Sequence, residues 1–192
     1  VSKLSYGYSR HSLPFSPPLF SGRILGDQPQ RGDVVVFKLP SDDTTDYIKR
    51  VIGLPGDRIQ MIGGILHING EAVKREVVPE AERTPVDEPN SFVTEYRETL
   101  PNGVQHRIFE LSDQGHLDNT VEYTVPPGHF FMMGDNRDNS LDSRANVGFV
   151  PFENLVGRAE IVFFSHNDKA HLWEVWKWPL AIRYGRLFDV ID

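Results

Sequence analysis

The sequence predicts a mainly β protein. Short runs rich in β-branched and aromatic residues recur along the chain, most of them are bounded by Gly, Pro, Asn or Asp, and no sustained helical periodicity appears. Two pairs of runs are separated by sequences typical of hairpin turns, Gly63-Gly64 and Pro101-Asn102-Gly103. We therefore expect antiparallel sheets joined by tight turns.

The first part of the chain predicts an extended arm followed by strands. Residues 1–30 are rich in Ser, Pro, Gly and Tyr and are expected to be irregular. The following apolar runs predict strands that are separated by Pro- and Gly-containing turns. The predicted strands are 34–39, 46–53, 58–62 and 65–68.

Composition changes between residues 71 and 120, where charges and prolines crowd in and the apolar runs become short. A second hairpin is predicted there, with strands at 92–100 and 104–111. This change predicts an inserted, smaller β-rich domain at 71–120. The remaining core is then discontinuous, formed by residues 1–70 and 121–192.

Core-like runs return after the insertion. Strands are predicted at 121–125, 129–133 and 158–164, with a short helical turn at 150–155. Trp173, Trp176 and Trp178 lie in the tail, where they either pack in a core or anchor the chain at a lipid interface.

The bulk composition excludes several function classes. The 192 residues suffice for one large domain or two small ones, and the net charge of −7 disfavours nucleic-acid binding. The absence of cysteine excludes disulfides and thiolate metal sites. No apolar run is long enough for a membrane span, and the chain begins at Val1, so we expect a processed or truncated start.

Lys49 is unusual for its position. Ile48, Val51 and Ile52 mark its strand as core-facing, and Lys49 and Arg50 must point to opposite faces. One of the two is therefore expected to enter a pocket. The alternative, on this stretch alone, is an edge strand whose charges prevent aggregation.

The densest polar segment is Gly134–Arg144, which comes after the apolar run 130–133. A calcium loop fails on spacing, because Arg137 and Ser140 occupy positions that need an acidic ligand and a glycine. An Asx-rich surface turn is the other alternative. Asp142 and Arg144, two residues apart, can form an ion pair that leaves Ser140 on the same side, an arrangement that can orient a base.

Other chemistries find little support. The histidines show no metal-ligand spacing, and no nucleotide-binding glycine motif occurs, so no metal or cofactor is predicted. A Ser-His-Asp triad stays open, although no Gly-x-Ser-x-Gly elbow favours it. A Ser-Lys arrangement fits better, because desolvation can lower the pKa of a lysine enough for it to act as a base, and Lys49 is the lysine on a core strand.

Three segments together resemble the sequence boxes of bacterial type I signal peptidases, in the same order and with similar spacing. They are Arg31–Phe37, Asp46–Asp57 and Gly134–Arg144. The long insertion resembles the second domain of the Gram-negative members. The resemblance implies an antiparallel catalytic core and a serine endopeptidase with a Ser-Lys dyad, anchored in the bacterial inner membrane with its catalytic domain facing the periplasm.

The resemblance also implies roles for individual residues. Lys49 matches the general base, and Ser140 matches the serine that orients it. Asp142 and Arg144 match a supporting ion pair, and Arg50 the arginine beside the base. Val36, Tyr47 and Ile48 match positions that line substrate pockets for small side chains. The implied partners are signal peptides and a lipid surface. The signal peptides would bind as an added strand and be cleaved after a small-x-small motif such as Ala-x-Ala. The chain is expected to be a monomer.

One departure from the family pattern is large. The family's nucleophile lies in a Ser-Met-x-Pro-Thr segment, and the 192 residues contain none. Residues 1–9 resemble the stretch shortly after that segment in the family, so we expect the nucleophile and the membrane helices to lie outside this sequence and the chain alone to be inactive. The alternatives are a homologue that only binds exported peptides and a self-cleaving repressor-type Ser-Lys protease.

Overall fold

The computed structural model describes residues 6–7, 27–82 and 93–159. These residues form twelve β-strands and two short 3-10 turns, Glu80–Glu82 and Phe152–Asn154, so the prediction of a mainly β protein is confirmed. The strands are β1 Val34–Lys38, β2 Asp46–Gly53, β3 Arg58–Ile62, β4 Ile65–Ile68, β5 Glu71–Ala72, β6 Lys74–Val77, β7 Thr94–Thr99, β8 Gln105–Glu110, β9 Tyr123–Thr124, β10 His129–Met133, β11 Val150–Pro151 and β12 Leu155–Arg158.

The strands form three antiparallel sheets. Their orders are β11-β10-β2-β1-β12, β5-β4-β3-β9 and β6-β7-β8. Both predicted hairpins are present: Ile62 pairs with Ile65 across Gly63-Gly64, and Thr99 pairs with Gln105. Gly63 and Gly64 both have positive φ, 55° and 72°, which the two-residue turn requires and which glycine adopts without steric cost.

Strands β2 and β10 are covered on both faces where they pair. Successive residues enter different apolar clusters: Ile52 and Phe131 pack in one cluster, and Val51 and Phe130 in the other. Such double coverage explains why the segments 51–53 of β2 and 130–133 of β10 are continuously apolar rather than alternating. The polar loop that begins after Met133 therefore starts from a rigid, buried strand.

Strand β2 is an inner strand over only part of its length. β2 lies between β1 and β10 in the five-stranded sheet. Its contact with β10 ends at the pair Met133–Arg50, however, whereas its contact with β1 continues to Asp46. The side of β2 that faces away from β1 thus has no strand partner among the described residues from Asp46 to Lys49.

Two predicted elements need correction. The turn predicted at 150–155 is helical only at Phe152–Asn154, because residues on both sides are extended and form β11 and β12. A strand is already present at Leu155, three residues before the predicted start at Arg158, because residues 155–158 pair with β1.

Several other expectations fall wholly or partly outside the described residues. Of the predicted arm at 1–30, only residues 6–7 and 27–30 are described. Residue 92 of the predicted strand 92–100 and residues 160–164 of the predicted strand 158–164 also fall outside, as do Trp173, Trp176 and Trp178. No described helix has the length and apolar character needed to cross a membrane. The domain limits 71–120 remain a prediction; the third sheet, β6-β7-β8, lies within that range.

Candidate active site

Lys49 lies on β2 beyond the point where β10 leaves the sheet. Its Nζ is 5.7 Å from the centroid of the Tyr47 ring. Burial lowers the pKa of Lys49 from its usual 10.5, and the positive charge of Arg144 acts in the same direction, whereas the carboxylates of Asp142 and Asp135 oppose the shift. The balance favours the neutral amine more than in a solvated lysine.

Ser140 lies next to Lys49, and Gly134 lies against both. A Cβ on Gly134 would overlap Ser140 Oγ and would stand 3.6 Å from Lys49 Nζ. Glycine therefore leaves space for the Ser140 hydroxyl near the Lys49 amine. Ser140 Oγ is buried and has no hydrogen-bond partner among the described residues, so it is available to bond to an adjacent nitrogen.

Asp142 and Arg144 form the predicted ion pair, and both side chains are fully buried. Arg144 Nε donates to Asp142 Oδ1 at 3.0 Å, and its Nη2 donates to Oδ2 at 2.8 Å. The carboxylate also accepts the backbone N–H of Gly134 at 3.1 Å, while Arg144 Nη2 donates to the carbonyl of Arg137 at 2.6 Å. A two-pronged pair of this kind closes the loop on itself and fixes the turn that carries Ser140.

Arg50 fastens the start of the same loop to the sheet. Its Nε and Nη2 each donate to one oxygen of Asp135 at 3.0 Å, and its Nη1 donates to the carbonyl of Gly32 at 2.8 Å. The sequence did not predict Asp135 as its partner. Because Asp135 is 85 residues from Arg50, chain spacing alone gives no signal for this pair.

Two cavities meet at Lys49 and Ser140. One has a volume of about 260 Å³ and includes Ile48 and Arg50 in its lining. The other is about 500 Å³ and includes Tyr47 and Leu141. Of the three predicted pocket residues, Ile48 and Tyr47 thus line different cavities, and Val36 lines neither of these two.

Strand register places Val36 beside Ile48. Val36 pairs with Ile48 across β1 and β2, so their side chains share one face, while Lys49 and Tyr47 belong to the other. Ile48 is 52% exposed, which is high for a large apolar side chain on an inner strand.

The third sheet supports the loop from the opposite side, which the sequence did not predict. Phe109 on β8 exchanges two backbone hydrogen bonds with the loop, accepting from Arg137 at 2.9 Å and donating to Asp135 at 2.8 Å. The fully buried Arg137 donates through Nη1 and Nη2 to the two oxygens of Glu98 on β7, at 2.9 and 2.5 Å. Burial is the largest influence and alone would raise the pKa of Glu98. The charge of Arg137 and the hydrogen bonds from His106 and Arg137 together outweigh it and hold that pKa at about 2.

An acidic cluster beside the loop was also missed. Glu110, Asp118 and Asp138 each direct one carboxylate oxygen into a common space. Burial raises the pKa of Glu110 to about 7, despite the opposing charge of Arg137. The three residues come from separate segments and match no metal-binding spacing, so the sequence carries no signal for them.

The sequence was compared with protein families and individual proteins. A family model described as signal peptidase, peptidase S26, matches residues 1–164. The signal peptidase I of Rickettsia typhi is 41% identical over 204 aligned positions, covering 97% of this chain and 76% of that protein. That of Rickettsia canadensis is 42% identical with the same coverage, and that of Rickettsia conorii is 41% identical over 97% of this chain and 75% of its own length.

One solved structure gives a partial match. A crystal structure of a signal peptidase I from Enterococcus faecalis is 28% identical, covers 69% of this chain and 97% of that chain, and superposes with a TM-score of 0.42. The assignment of this chain to a family rests on the family model and on the Rickettsia relatives. None of these matches is a repressor-type protease.

Proposed function

The chain belongs to the signal peptidase family, peptidase S26, a family of serine peptidases, and from that premise we propose that it is the core of a Ser-Lys endopeptidase with Lys49 as general base. Its substrates are the signal peptides of exported preproteins, cut after a small-x-small motif such as Ala-x-Ala. The observation that carries the proposal is Lys49 itself: a half-buried lysine with a lowered pKa, beside a buried serine hydroxyl and an open stretch of strand.

The chemistry assigned to Lys49 is proton transfer. The neutral amine removes the proton from a serine hydroxyl as that oxygen attacks the scissile carbonyl carbon. The resulting ammonium then protonates the leaving amine, which releases the C-terminal product and leaves an acyl-enzyme. Lys49 next takes a proton from the attacking water and passes it to the departing serine oxygen, so the ester is hydrolysed and both the free serine and the neutral amine are regenerated. The nucleophilic serine is not assigned to any of the 192 residues, because none lies in a Ser-Met-x-Pro segment.

Ser140 is proposed to orient the base. Its Oγ is buried near Lys49 Nζ and has an unused hydrogen-bonding capacity within the described part of the chain. A hydrogen bond between the two would restrict the lysine to rotamers that point towards the nucleophile, which reduces the entropy lost on reaching the transition state.

Asp142, Arg144 and Arg50 are proposed to support the dyad without touching the substrate. The buried pair Asp142–Arg144 sets the loop geometry around Ser140, and the net effect of nearby charge on Lys49 is partly cancelled because Arg144 opposes Asp142. Arg50 anchors Asp135 at the beginning of the loop.

We further propose that the substrate binds by strand addition. Residues 46–49 of β2 have a side with no described strand partner, so an extended peptide can pair there through backbone hydrogen bonds. Successive side chains of such a peptide alternate between faces, and the two small cavities that meet at Lys49 lie on its path. Val36, Tyr47 and Ile48 are the proposed pocket residues; Ile48 and Tyr47 each line one of the two cavities, and Val36 lies on the strand beside Ile48.

The proposed location is the bacterial inner membrane, with this domain on the periplasmic side against the lipid surface and acting as a monomer. Membership of the signal peptidase family supports this proposal. Signal peptides enter the membrane during export, so an enzyme that cuts them must work at its surface.

The test is a lysine replacement in a version of the protein extended at its N-terminus to include a Ser-Met-x-Pro segment. Lys49→Met should lower kcat/KM on an Ala-x-Ala peptide by about 10²–10⁴-fold or more, because the base is lost. Lys38→Met is the matched control, since Lys38 lies on the neighbouring strand and its ammonium bonds to Thr44 and Asp46 at the surface. Full activity of Lys49→Met would remove the assignment of the base.

A further inference from the structure

We propose that Glu110, Asp118 and Asp138 form a binding site for a hard divalent cation, with Ca²⁺ as the preferred ion. The site lies at the end of β8, between the segment 110–118 and the loop 134–144. Each residue offers one carboxylate oxygen, and these oxygens all lie within 4.8 Å of one another. The proposal goes beyond peptide cleavage and does not depend on it.

The first support is that these carboxylates are buried without sufficient partners. Glu110 is 2% exposed, and neither of its oxygens has a hydrogen-bond partner among the described residues. Asp118 is 0% exposed, and its Oδ1 has none either. A buried carboxylate that lacks hydrogen bonds carries a large desolvation cost, which a bound cation would offset.

The nearest arginines are already occupied. Arg75 Nη1 is 3.8 Å from Glu110 Oε1, too long for a hydrogen bond, and Arg75 instead donates to the carbonyl of Gly64 and to Asp113, each at 2.9 Å. Arg137 donates to Glu98. Neither side chain therefore fills the space between the three carboxylates.

The second support is that the site is built before any ion binds. Asp118 Oδ2 accepts the backbone N–H of Gly115 at 2.6 Å, and Asp138 Oδ2 accepts those of Leu111 and Ser112 at 2.6 and 3.0 Å. A Cβ on Gly115 would stand 2.8 Å from Asp138 Oδ1 and 3.2 Å from Asp118 Oδ2. The glycine thus keeps open the space next to two carboxylates that are already fixed in place.

The ligand type favours a hard cation, and the irregular setting favours Ca²⁺. Carboxylate oxygens are hard donors, which suit Ca²⁺, Mg²⁺ and Mn²⁺ rather than softer metals. Ca²⁺ accepts several carboxylates in an irregular shell, whereas Mg²⁺ demands a near-ideal octahedron and keeps much of its water. Three carboxylates, one at the end of β8 and two in loops, suit the less regular Ca²⁺ shell.

The position of Asp138 gives the site a structural consequence. Asp138 is two residues before Ser140 in the loop 134–144, whereas Glu110 and Asp118 belong to the neighbouring segment. A cation shared by the three would join the two segments and neutralise the repulsion between them. It would thereby stabilise the loop that carries Ser140.

The experiment measures binding and melting of the chain itself, first treated with EDTA and then exchanged into chelator-free buffer. Titration calorimetry with CaCl₂ should show one site, and saturating Ca²⁺, at about 100 times Kd, should raise Tm by about 5–10 °C. MgCl₂ should give a smaller shift at the same concentration. Absence of both a heat of binding and a Tm shift with Ca²⁺, Mg²⁺ and Mn²⁺ would overturn the proposal.

Variants locate the site. Glu110→Gln and Asp118→Asn should lose the Ca²⁺-dependent Tm shift, while in EDTA their Tm should equal or exceed that of the wild type, because a buried charge is removed. Glu122→Gln is the control, since Glu122 is exposed and outside the cluster, and it should keep the full shift. A Ca²⁺ shift retained in either cluster variant would show that the ion binds elsewhere and would refute this site.

Discussion

At the scale of single residues, Lys49 is defined by its surroundings. Burial and Arg144 favour its neutral form, while Asp142 and Asp135 favour its charged form, so the lowered pKa is the outcome of opposing effects. A base that works near neutral pH needs such a balance, because full solvation would keep the amine protonated. Because the charged form of Lys49 is disfavoured in the folded state, this residue lowers the free energy of unfolding wherever it is protonated in the unfolded chain.

We expect Lys49→Met to stabilise the fold at neutral pH. Because the folded state lowers the pKa of Lys49, it binds this proton more weakly than the unfolded chain does. The resulting cost is full below the folded pKa, declines as the pH rises between the two pKa values, and disappears above the usual 10.5. Urea denaturation should therefore show a gain that is largest at neutral pH and smaller above pH 10.5.

The control for that measurement is Lys74→Met. The side chain of Lys74 is 67% exposed, so this substitution removes one positive charge that is not buried. A gain for Lys49→Met that does not change with pH would come from packing alone. That outcome would contradict the protonation argument.

Gly134 is the second residue on which the site depends. We expect Gly134→Ala to lower kcat of the extended, active form by about 10²-fold, because the new methyl group displaces Ser140 and misaligns the base. The measurement is cleavage of an Ala-x-Ala peptide, with circular dichroism to verify the fold. Gly148→Ala is the control: it strains a backbone with φ of 66° but meets no atom within 4 Å, so it should cost stability and leave kcat unchanged.

At the scale of elements, the loop 134–144 is held from two sides. The five-stranded sheet supplies Arg50, and the third sheet supplies Glu98 and the backbone of Phe109. The third sheet therefore contributes to the support of the candidate catalytic loop. The pair Arg137–Glu98 is the most deeply buried of these links, since both side chains are 1% exposed.

Breaking that pair should loosen the loop. Arg137→Leu should lower the free energy of unfolding by about 3–5 kcal/mol, because it leaves the Glu98 carboxylate buried without its cation. Arg97→Leu is the matched control: the pair Arg97–Glu82 is exposed, and losing it should cost less than about 1 kcal/mol. Equal losses in urea denaturation would mean that the buried pair does not hold the loop.

At the scale of the whole molecule, the candidate site lies where β2 extends past β10 and meets the loop that the third sheet supports. The 192 residues bring together the proposed base, the hydroxyl proposed to orient it and an open stretch of strand, but they contain no serine in a Ser-Met-x-Pro context. Binding and cleavage of a signal peptide should therefore be separable in this chain.

We expect the 192-residue chain to bind an Ala-x-Ala peptide without cleaving it. Binding should slow hydrogen exchange of residues 46–49, whose open side would gain a strand partner, while exchange in the hairpin β3–β4 should not change. Mass spectrometry of the peptide after long incubation should show no product. Cleavage that disappears in Lys49→Met would demonstrate a nucleophile within the chain and contradict this expectation.

The sequence by itself determined the strands, the hairpin turns and the family resemblance. β-branched runs and Gly-containing turns are local signals, so β1 to β4 and the β7–β8 hairpin could be placed from them. The pair Asp142–Arg144 was also predictable, because its members are two residues apart in one turn. Lys49 was singled out because a charge in an apolar strand conflicts with its surroundings.

Only the tertiary structure decided which distant groups meet. Residue spacing does not encode the pairing of Arg50 with Asp135, of Arg137 with Glu98, or the convergence of Glu110, Asp118 and Asp138. It also decided that β2 is an inner strand with one open stretch, since the sheet order depends on long-range pairing. The physical reason is that such contacts are selected by burial and charge compensation across the whole fold, which no local pattern records.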